Sequence, residues 1–260
     1  MRIAIIGGSG VYDPRILSDI REEQIRTPYG EVRYKVGKYK GEEVLFLARH
    51  GEKHSVPPHL VNYRANIWAL RKLGITRVIA TAAVGSLNRE MKPGHFVFTD
   101  QFIDFTHARP ATFFDGGENG VVHTDFTEPY CPEIRATMAE KAKELGIDHH
   151  VAGTYLCTEG PRYETPAEIK AFARLGADLV GMTNVPEVVL AHEAGLCYGL
   201  VAMVTNYAAG ISPIPLTHQE VLEVMAQNTE NLKSLIMAVI ESLPVTRSCQ
   251  CGVNWDQLRV

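Results

Sequence analysis

Three short segments of this sequence carry residue types that can bind an anion. Gly7-Gly8-Ser9-Gly10 follows a short apolar run, and its glycines let the backbone approach an anion while Ser9 adds a hydroxyl donor. The same four residues also suit a simple tight turn. Arg49-His50 combines a guanidinium fork with a second donor, and it equally suits a polar pair on a surface loop. Thr183 precedes a predicted helix, whose N-terminus favours an anion.

A second set of residues suits a flat polar ligand joined to a sugar. Tyr163-Glu164 lies on a predicted loop after a strand, where the ring can stack on a base and the carboxylate can accept its N–H groups. Asn206 follows a long apolar run, and its amide can donate one hydrogen bond and accept another. Met182 can offer a soft apolar face to a sugar, or it can simply pack in the core.

The five cysteines fall into two groups. Cys131, Cys157 and Cys197 lie in otherwise regular segments and are expected to be small buried apolar residues. Cys249 and Cys251 form a C-x-C pair near the C-terminus. The spacing alone leaves open whether this pair forms a bond or stays as two thiols.

Bulk composition narrows the class of protein. The 260 residues are 45% hydrophobic and 22% charged, with a net charge of −4, as in ordinary soluble globular proteins. The negative charge gives no electrostatic case for a nucleic-acid partner, and no apolar run approaches the ~20 residues of a membrane span. The first ten residues lack a signal-peptide layout, so the cytoplasm is expected. His50, His54 and His59 match no common ligand spacing, so no metal is expected.

Strands and helices are predicted to alternate along the chain. The predicted strands are Arg2–Ile6, Glu31–Lys38, Glu43–Ala48 (with a turn near Lys40-Gly41), Arg77–Ala83, His95–Asp100, Val151–Cys157, Asp178–Gly181 and Leu196–Thr205. The predicted helices are Asn62–Leu73, Pro132–Leu145, Thr165 to about Leu175, Val185–Ala194 and Thr217 to about Leu243, the third and fifth opening on capping boxes. This order predicts an α/β fold whose twisted, mixed but largely parallel sheet is flanked by helices.

No linker or repeat divides the chain. One domain is therefore expected over residues 1–260, with residues 244–260 as a C-terminal tail. Ligands of such sheets bind beyond the carboxyl ends of the strands. That rule selects six segments: Gly7–Gly10, Arg49-His50, Thr81–Gly85, Cys157–Tyr163, Gly181–Thr183 and Thr205–Ala209.

Six motifs follow one another from Gly7 to about Leu243. They are Gly7-Gly8-Ser9-Gly10, Arg49-His50-Gly51, Val61-Asn62-Tyr63-Arg64-Ala65-Asn66, Gly85-Ser86-Leu87, Thr158-Glu159-Gly160-Pro161-Arg162 and Gly181-Met182-Thr183-Asn184-Val185-Pro186-Glu187-Val188. In these motifs and their order the chain resembles the trimeric nucleoside phosphorylase family. That family holds the 6-oxopurine nucleoside phosphorylases and the methylthioadenosine phosphorylases.

The resemblance implies a role for each candidate residue. Phosphate is implied to bind at Ser9, Arg49, His50, the backbone of Ala82 and Ala83, and Thr183. The nucleoside is implied to bind at Tyr163, Glu164, Met182, Asn206, Tyr207, Ala208, His218 and, from a neighbouring subunit, His123. In this assignment Tyr163 stacks on the base and Met182 lies under the ribose. Position 82 holds a hydroxyl or amide residue in relatives and alanine here, so only the backbone contact carries over.

The resemblance also implies the reaction. Phosphate attacks C1′ of the ribose with inversion while the purine leaves, and Asn206 and His50 are the predicted catalytic residues. Hydrogen bonds that strengthen as charge develops on the purine are the useful ones. The reaction needs no covalent enzyme intermediate and no cofactor, since phosphate is a co-substrate. A homotrimer or a dimer of trimers is implied, because His123 acts in a neighbour's site.

Two positions select the base. A 6-oxopurine presents a carbonyl acceptor at position 6 and an N–H donor at N1, whereas a 6-aminopurine presents the reverse. Asn206 can donate to O6 and bond N7, and Glu164 can accept from N1–H. Adenine-cleaving relatives resemble Asp-x-Asp at positions 206 and 208, with a small hydroxyl residue at 164. The residues here, with Ala208, predict inosine and guanosine as substrates in purine salvage.

His218 bears on the 5′ group of the sugar. It falls at the first helical position of the second capping box, where the helix dipole disfavours a charged imidazole. A neutral ring can bond a 5′-hydroxyl, whereas methylthioadenosine-cleaving relatives resemble an apolar residue here. A surface histidine is the other interpretation, and cleavage of 5′-methylthioinosine or 5′-methylthioadenosine stays an alternative.

Two alternatives lie outside this enzyme class, and one feature of the tail stays open. A nucleotide-cofactor oxidoreductase would use the N-terminal glycines, but no acidic partner closes a dinucleotide site. A non-catalytic purine-binding protein would bind base without needing phosphate. Cys249-Gln250-Cys251 resembles a C-terminal disulfide of heat-stable family members, and free thiols are equally compatible with it.

Overall fold

One eleven-stranded sheet runs through the computed structural model. The structure describes residues 3–7, 17–51, 55–212 and 218–252, and it describes residues 218 and 220 by their backbone alone. The strands are β1 (Ile3–Gly7), β2 (Ser18–Thr27), β3 (Gly30–Tyr39), β4 (Glu42–Ala48), β5 (Arg77–Ser86), β6 (Phe96–Phe98), β7 (Gln101–Phe105), β8 (His149–His150), β9 (Thr154–Thr158), β10 (Leu179–Gly181) and β11 (Cys197–Tyr207). The helices are α1 (Tyr63–Lys72), α2 (Pro132–Glu144), α3 (Pro166–Arg174), α4 (Asn184–Glu193) and α5 (His218–Ser242).

The central strand of the sheet is β5. It pairs in parallel with β1 on one edge and with β11 on the other. The sheet continues through β4, β3 and β2 beyond β1, and through β9 and β7 beyond β10. Six of the ten described pairings are parallel, so the predicted mixed, largely parallel sheet is confirmed.

Helices cover both faces of the sheet because successive strand residues point to opposite faces. Ala80, Ala82 and Val84 of β5 lie in the core cluster that holds the buried residues of α1 and α4. Ile79 of the same strand lies in a second cluster, with α2 and α5. Apolar packing on both faces therefore holds β5 in place. It also fixes where the segments that follow the neighbouring strands begin.

Several local predictions are confirmed. Thr165 and Glu168 form the predicted capping box, in which the Thr165 side chain accepts from the Glu168 N–H over 3.2 Å and the Glu168 carboxylate accepts from the Thr165 N–H over 2.7 Å. Lys40 and Gly41 have positive φ angles of 47° and 88°, as a tight turn between β3 and β4 requires. None of the described helices is long and apolar enough to cross a membrane.

Three strands differ clearly from prediction, and the two-residue β8 was also not predicted. β2 was not predicted because its first seven residues are all exposed, so no apolar alternation marks it, and its pairing with β3 holds it. β7, on the sheet edge, is likewise largely exposed and was also not predicted. The strand predicted from Val151 begins instead at Thr154, since Val151 is exposed and Gly153 packs against the side chain of Val97.

Candidate active site

A cleft of about 330 Å³ lies beyond the carboxyl ends of the central strands. Its walls come from the segment after β4, the second half of β5, the loop between β9 and α3, the turn between β10 and α4, the end of β11 and one side of α5. This is the edge at which open α/β sheets bind ligands. The predicted residues that line it are Arg49, His50, Ala82, Ala83, Tyr163, Glu164, Met182, Thr183, Asn206 and Ala208.

Arg49 lies buried after β4, against Glu187 of α4. Its Nε donates to one carboxylate oxygen over 2.7 Å, and its Nη2 donates to the other over 2.6 Å. Nη1 donates to the carbonyl of Thr81 over 2.8 Å. Burial lowers the pKa of Arg49, but the Glu187 carboxylate outweighs burial and raises it, so the guanidinium stays charged. A guanidinium has five N–H bonds, so two remain beyond these contacts for an anion in the cleft.

His50 is oriented by the backbone of the loop that follows it. Its Nδ1 lies 2.8 Å from the carbonyl oxygen of Val56. Because a carbonyl can only accept, Nδ1 carries the proton. A neutral ring then accepts at Nε2, for example from a protonated phosphate oxygen, whereas a charged ring donates there.

The backbone of β5 is open to the cleft along part of one edge. β1 pairs with the first four residues of β5 and β10 with its last two, so no described strand covers residues 81–84 on this edge. The carbonyl of Thr81 points to this edge, since it accepts from Arg49. Backbone groups of successive strand residues alternate between edges, so the N–H of Ala83 faces the cleft and that of Ala82 faces β11. The predicted backbone contact to phosphate therefore suits Ala83.

Thr183 is buried at the N-terminal boundary of α4, and its side chain makes no capping hydrogen bond. It also lines the cleft, beside the hydroxyl of Tyr155. Val185 has non-helical angles (φ −108°, ψ 129°), so the regular helix begins one turn later than Thr183. The dipole effect expected at Thr183 is weaker as a result, because that effect is confined to the first turn.

Asn206 is buried near the end of β11, and its neighbours set the orientation of its amide. Nδ2 donates to the carbonyl of Tyr207 over 2.9 Å, and Oδ1 accepts from the hydroxyl of Thr205 over 2.8 Å. A carbonyl can only accept, so the amide nitrogen must face Tyr207. One N–H and one lone pair remain beyond these contacts, which is the donor and acceptor set predicted for base recognition.

A β-bulge directs Asn206 toward the cleft. The register between β11 and β5 shifts between Val204 and Asn206, which places Asn206 opposite Gly85. A Cβ atom at Gly85 would lie 3.2 Å from Nδ2 of Asn206, tighter than most such contacts. Bulges often re-aim side chains next to active sites, and the glycine leaves room for this one.

Glu164 lies half-buried on the loop before α3. Its Oε1 accepts from the hydroxyl of Thr158 over 2.7 Å, which holds the carboxylate beside the end of β9. Burial raises the pKa of Glu164, and the Thr158 hydrogen bond opposes that rise only in part. A ligand N–H that donates to this carboxylate stabilises its ionised form, which burial disfavours.

The remaining predicted contacts in the cleft are apolar or aromatic. Tyr163 is 43% exposed, so its ring is accessible for stacking. Gly160 has φ +66°, and a Cβ there would lie 2.6 Å from the Met182 sulfur, so the glycine lets this loop rest on Met182. Ala208 is buried in an apolar cluster with Leu87 and brings no polar side chain to the cleft.

Some predicted residues are not brought into the cleft. The Tyr207 hydroxyl donates to the carbonyl of Arg89 over 3.2 Å, and Tyr207 does not line the cleft, although its own carbonyl orients Asn206. His123 is exposed and also lies outside the cleft lining. Ser9 and the side chain of His218 lie outside the described residues.

The sequence interpretation missed two features of the site. Glu187 stands in the sequence analysis only as part of a motif, yet it is fully buried and binds Arg49. A carboxylate within the apolar run Val185–Ala191 was the available signal. Val221, Leu222 and Met225 of α5 line the cleft. Apolar residues at helical spacing indicate core packing, so no signal separated these three from the rest of α5.

With this geometry described, comparison identifies the class of protein: the chain belongs to the phosphorylase superfamily, whose family model matches residues 2–241. The membership predicted from the motifs is confirmed. A relative from Moorella thermoacetica, named a probable 6-oxopurine nucleoside phosphorylase, is 64% identical over 260 residues and is covered end to end in both chains.

Two further relatives carry another name. An S-methyl-5′-thioadenosine phosphorylase from Thermofilum pendens is 49% identical over 259 residues, covering 99% of this chain and 98% of its own. The structure of a methylthioadenosine phosphorylase from Schistosoma mansoni in complex with adenine superposes with a TM-score of 0.89 at 33% identity, covering 93% of this chain and 91% of its own. The predicted fold is thereby confirmed.

Proposed function

We propose that this chain catalyses the reversible phosphorolysis of 6-oxopurine nucleosides, inosine and guanosine, to the free base and ribose 1-phosphate in purine salvage. One observation carries the proposal. Asn206 and Glu164 line the same cleft as Arg49, Ala83 and Thr183, so base-recognition and anion-binding groups share one site. The whole-length likeness to a probable 6-oxopurine nucleoside phosphorylase supports it.

The base assignment rests on the hydrogen-bond polarity of two side chains. The remaining N–H of Asn206 donates to O6, and its remaining lone pair accepts from a protonated N7. The second oxygen of Glu164 accepts from N1–H. Adenine would put an unprotonated N1 against this carboxylate and leave both groups unpaired. Sites built to bond such a group discriminate by roughly 10⁴–10⁵-fold.

The phosphate side supplies fixed donors for an anionic nucleophile. The two remaining N–H bonds of Arg49, the backbone N–H of Ala83 and the Thr183 hydroxyl can bond phosphate oxygens, with His50 bonding a further one. Because Glu187 already neutralises Arg49, the site positions phosphate by hydrogen bonds more than by net charge. Such positioning at ~3–3.5 Å from C1′ removes part of the entropic barrier.

Bond breaking places charge on the leaving purine. As the C1′–N9 bond breaks, its electron pair moves into the base, and a phosphate oxygen forms the new bond to C1′. The proton that hydrogen phosphate loses on forming the ester passes to the purine through solvent. Asn206 stabilises the purine as N7 takes up this proton, and Glu164 keeps the base in place. A positioned donor of this kind contributes about 2.7–4 kcal/mol.

One observation favours a second candidate, cleavage of 5′-methylthio nucleosides. Val221, Leu222 and Met225 make one wall of the cleft apolar, and an apolar wall suits a methylthio group better than a hydroxyl. The Thermofilum pendens relative named for that substrate is 49% identical. The two candidates differ at the 5′ position alone if the base is hypoxanthine, as in 5′-methylthioinosine.

A substrate panel tests both candidates. Rates with and without phosphate are measured on inosine, guanosine, adenosine, 5′-methylthioinosine and 5′-methylthioadenosine. We expect cleavage to depend on phosphate and to be faster with 6-oxopurine nucleosides. The ratio of the rates on inosine and 5′-methylthioinosine decides which 5′ group the enzyme prefers. Preference for either adenine nucleoside would overturn the base assignment, and base binding without phosphate dependence would indicate a non-catalytic purine-binding protein.

Two variants sharpen the base assignment. In Glu164→Ser/Asn206→Asp we expect substrate preference to move toward adenosine. Serine replaces the carboxylate at 164 by a short hydroxyl, and aspartate places a protonatable acceptor at 206. Tyr207→Phe is the matched control, since this side chain lies outside the cleft and its hydroxyl contacts the carbonyl of Arg89. Its substrate ranking should equal that of the unmodified enzyme.

We also propose that the chain acts as a trimer or a dimer of trimers in which His123 reaches a neighbour's 5′ position. The exposure of His123 and its position outside the cleft lining support this arrangement. Native mass spectrometry gives the oligomer size, and full activity in a dilute monomer would contradict the proposal. The cytoplasmic location, the absence of a cofactor and the single-domain organisation stay predictions.

A further inference from the structure

Four of the five cysteines converge on one point far from the cleft. Cys131 immediately precedes α2, Cys197 is the first residue of β11, and Cys249 and Cys251 follow α5. Their Sγ atoms all lie within 4.8 Å of one another. Asn206 is nine residues along β11 from Cys197, about 30 Å at the rise of a strand, so the cluster does not belong to the active site.

Buried polar contacts bring the C-terminal segment to this point. Arg77, fully buried at the start of β5, donates to the carbonyls of Pro244 and Thr246 and binds Glu133 of α2 over 3.1 Å. Glu133 in turn accepts from the N–H of Cys249 over 2.9 Å. Two elements of the core therefore hold the segment that carries the C-x-C pair.

A second sulfur and a guanidinium lie against Cys197. Cys197 Sγ lies 3.4 Å from Cys249 Sγ, and the Arg247 guanidinium donates to Cys197 Sγ over 3.8 Å. A thiolate is the form that binds a metal ion, and Arg247 offsets part of the negative charge that four thiolates would bring.

We propose that Cys131, Cys197, Cys249 and Cys251 bind one Zn²⁺ ion per chain in a closed tetrahedral site. Zn–S bonds of ~2.3 Å in a tetrahedron separate the sulfurs by about 3.8 Å, and these four already lie within 4.8 Å of one another. Binding releases the remaining thiol protons to solvent and leaves no open position, so the ion is structural. It fastens the C-terminal segment to α2 and β11.

The first experiment measures metal content. The full-length chain is purified with a reducing agent and without chelators, supplied with Zn²⁺, and desalted. We expect one zinc per chain by elemental analysis and native mass spectrometry. Replacement by Co²⁺ should give thiolate-to-cobalt charge-transfer bands and the intense visible bands of a tetrahedral sulfur site. No bound metal under these conditions would overturn the proposal.

Variants assign the ion to these residues. Cys249→Ser/Cys251→Ser alters only the end of the chain, so the rest of the fold should be preserved, and we expect its zinc content to fall to a small fraction of one per chain. Cys157→Ala is the matched control, because Cys157 is the buried fifth cysteine outside the cluster. Cys157→Ala should keep its zinc. A chelator should lower the melting temperature of this control but not that of the double variant.

Two further results would overturn the proposal. Zinc retained by the double variant would locate the ion elsewhere. A mass lower by four hydrogens, with a single reactive thiol after denaturation and no bound metal, would assign the four cysteines to two disulfides instead. Thiol counting in denaturant separates these outcomes, since the metal site predicts five reactive thiols once zinc is removed.

Discussion

Two bidentate arginine–glutamate pairs lie beside the cleft, one on the proposed phosphate side and one next to the proposed base-recognition residues. Arg49 and Glu187 on the phosphate side meet over 2.7 and 2.6 Å, with side chains 1% and 0% exposed. Arg162, on the loop between β9 and α3 (the proposed base loop), and Glu168, in the first turn of α3, meet over 2.9 and 2.7 Å, but their side chains are 67% and 34% exposed. The two pairs share their chemistry and differ in burial.

Burial decides what each pair can do. Charges removed from water are costly unless each stays paired, so Arg49 and Glu187 depend on one another and cannot rearrange cheaply. Water solvates either member of the exposed pair as well as its partner does. The phosphate side is thus a fixed part of the core, whereas the base loop can change sequence with little effect on the fold. On the proposed function, we therefore expect base preference to change more readily than phosphate binding.

The strongest test of this comparison breaks the buried pair. Arg49→Met leaves the Glu187 carboxylate buried without its cation, which we expect to lower the free energy of unfolding by about 3–5 kcal/mol. Urea unfolding followed by circular dichroism measures the loss. Phosphorolysis should also be lost, because two of the proposed phosphate donors are removed.

The double variant Arg49→Met/Glu187→Met separates pairing from packing. Replacing both charges by apolar side chains of similar length should recover most of the stability lost in the single variant. Activity should not return, since the arginine N–H donors are still missing. A double variant no more stable than Arg49→Met would mean that the carboxylate is tolerated alone and that burial does not couple the two residues.

The sequence predicted where the proposed phosphate side lies, but it did not predict which contacts hold that side together. The segment after β4 is correctly placed on the cleft, because an apolar strand followed by Arg49-His50 indicates a strand end. The partner of Arg49 lies 138 residues away, and no local pattern relates the two. The opening along β5 depends on where β1 stops and β10 starts, which is a property of three strands together.

The same limit applies to the base side and to the cysteines. Asn206 was proposed from its position after an apolar strand, but the bulge that directs it comes from the pairing of β11 with β5. Cys131 and Cys197 were expected to be buried, and they are. Their convergence with Cys249 and Cys251 could not be predicted, because it depends on how α2, β11 and the C-terminal segment pack.

A smaller effect is expected on the base side, where Glu164→Gln removes charge but keeps shape. A charge-assisted hydrogen bond is about twice as strong as a neutral one, so kcat/KM for inosine should fall roughly fivefold to tenfold at neutral pH. Only the ionised carboxylate gains this advantage. Because burial raises the pKa of Glu164, the advantage should disappear on acidification at a higher pH than an ordinary glutamate would give.

The measurement is the quotient of kcat/KM for the unmodified enzyme and for Glu164→Gln across pH. The quotient cancels the titration of phosphate and of every protein group that both enzymes share. It should rise with pH through the raised pKa of Glu164 and then stay level. Glu168→Gln is the control, since Arg162 and the Thr165 backbone lower the pKa of Glu168 to about 2 and no base contact is assigned to it. A flat quotient for Glu164 would remove it from base recognition.

The smallest effect is expected from Arg162→Ala, which breaks the exposed pair. Glu168 stays solvated, and its carboxylate still accepts from the Thr165 N–H, so the capping box that begins α3 survives. The midpoint of urea unfolding and the KM for phosphate should both match those of the unmodified enzyme. A destabilisation comparable to that of Arg49→Met would show that bidentate geometry, and not burial, governs these pairs. Agreement with the unmodified enzyme would instead identify the base loop as the part of the site that tolerates substitution.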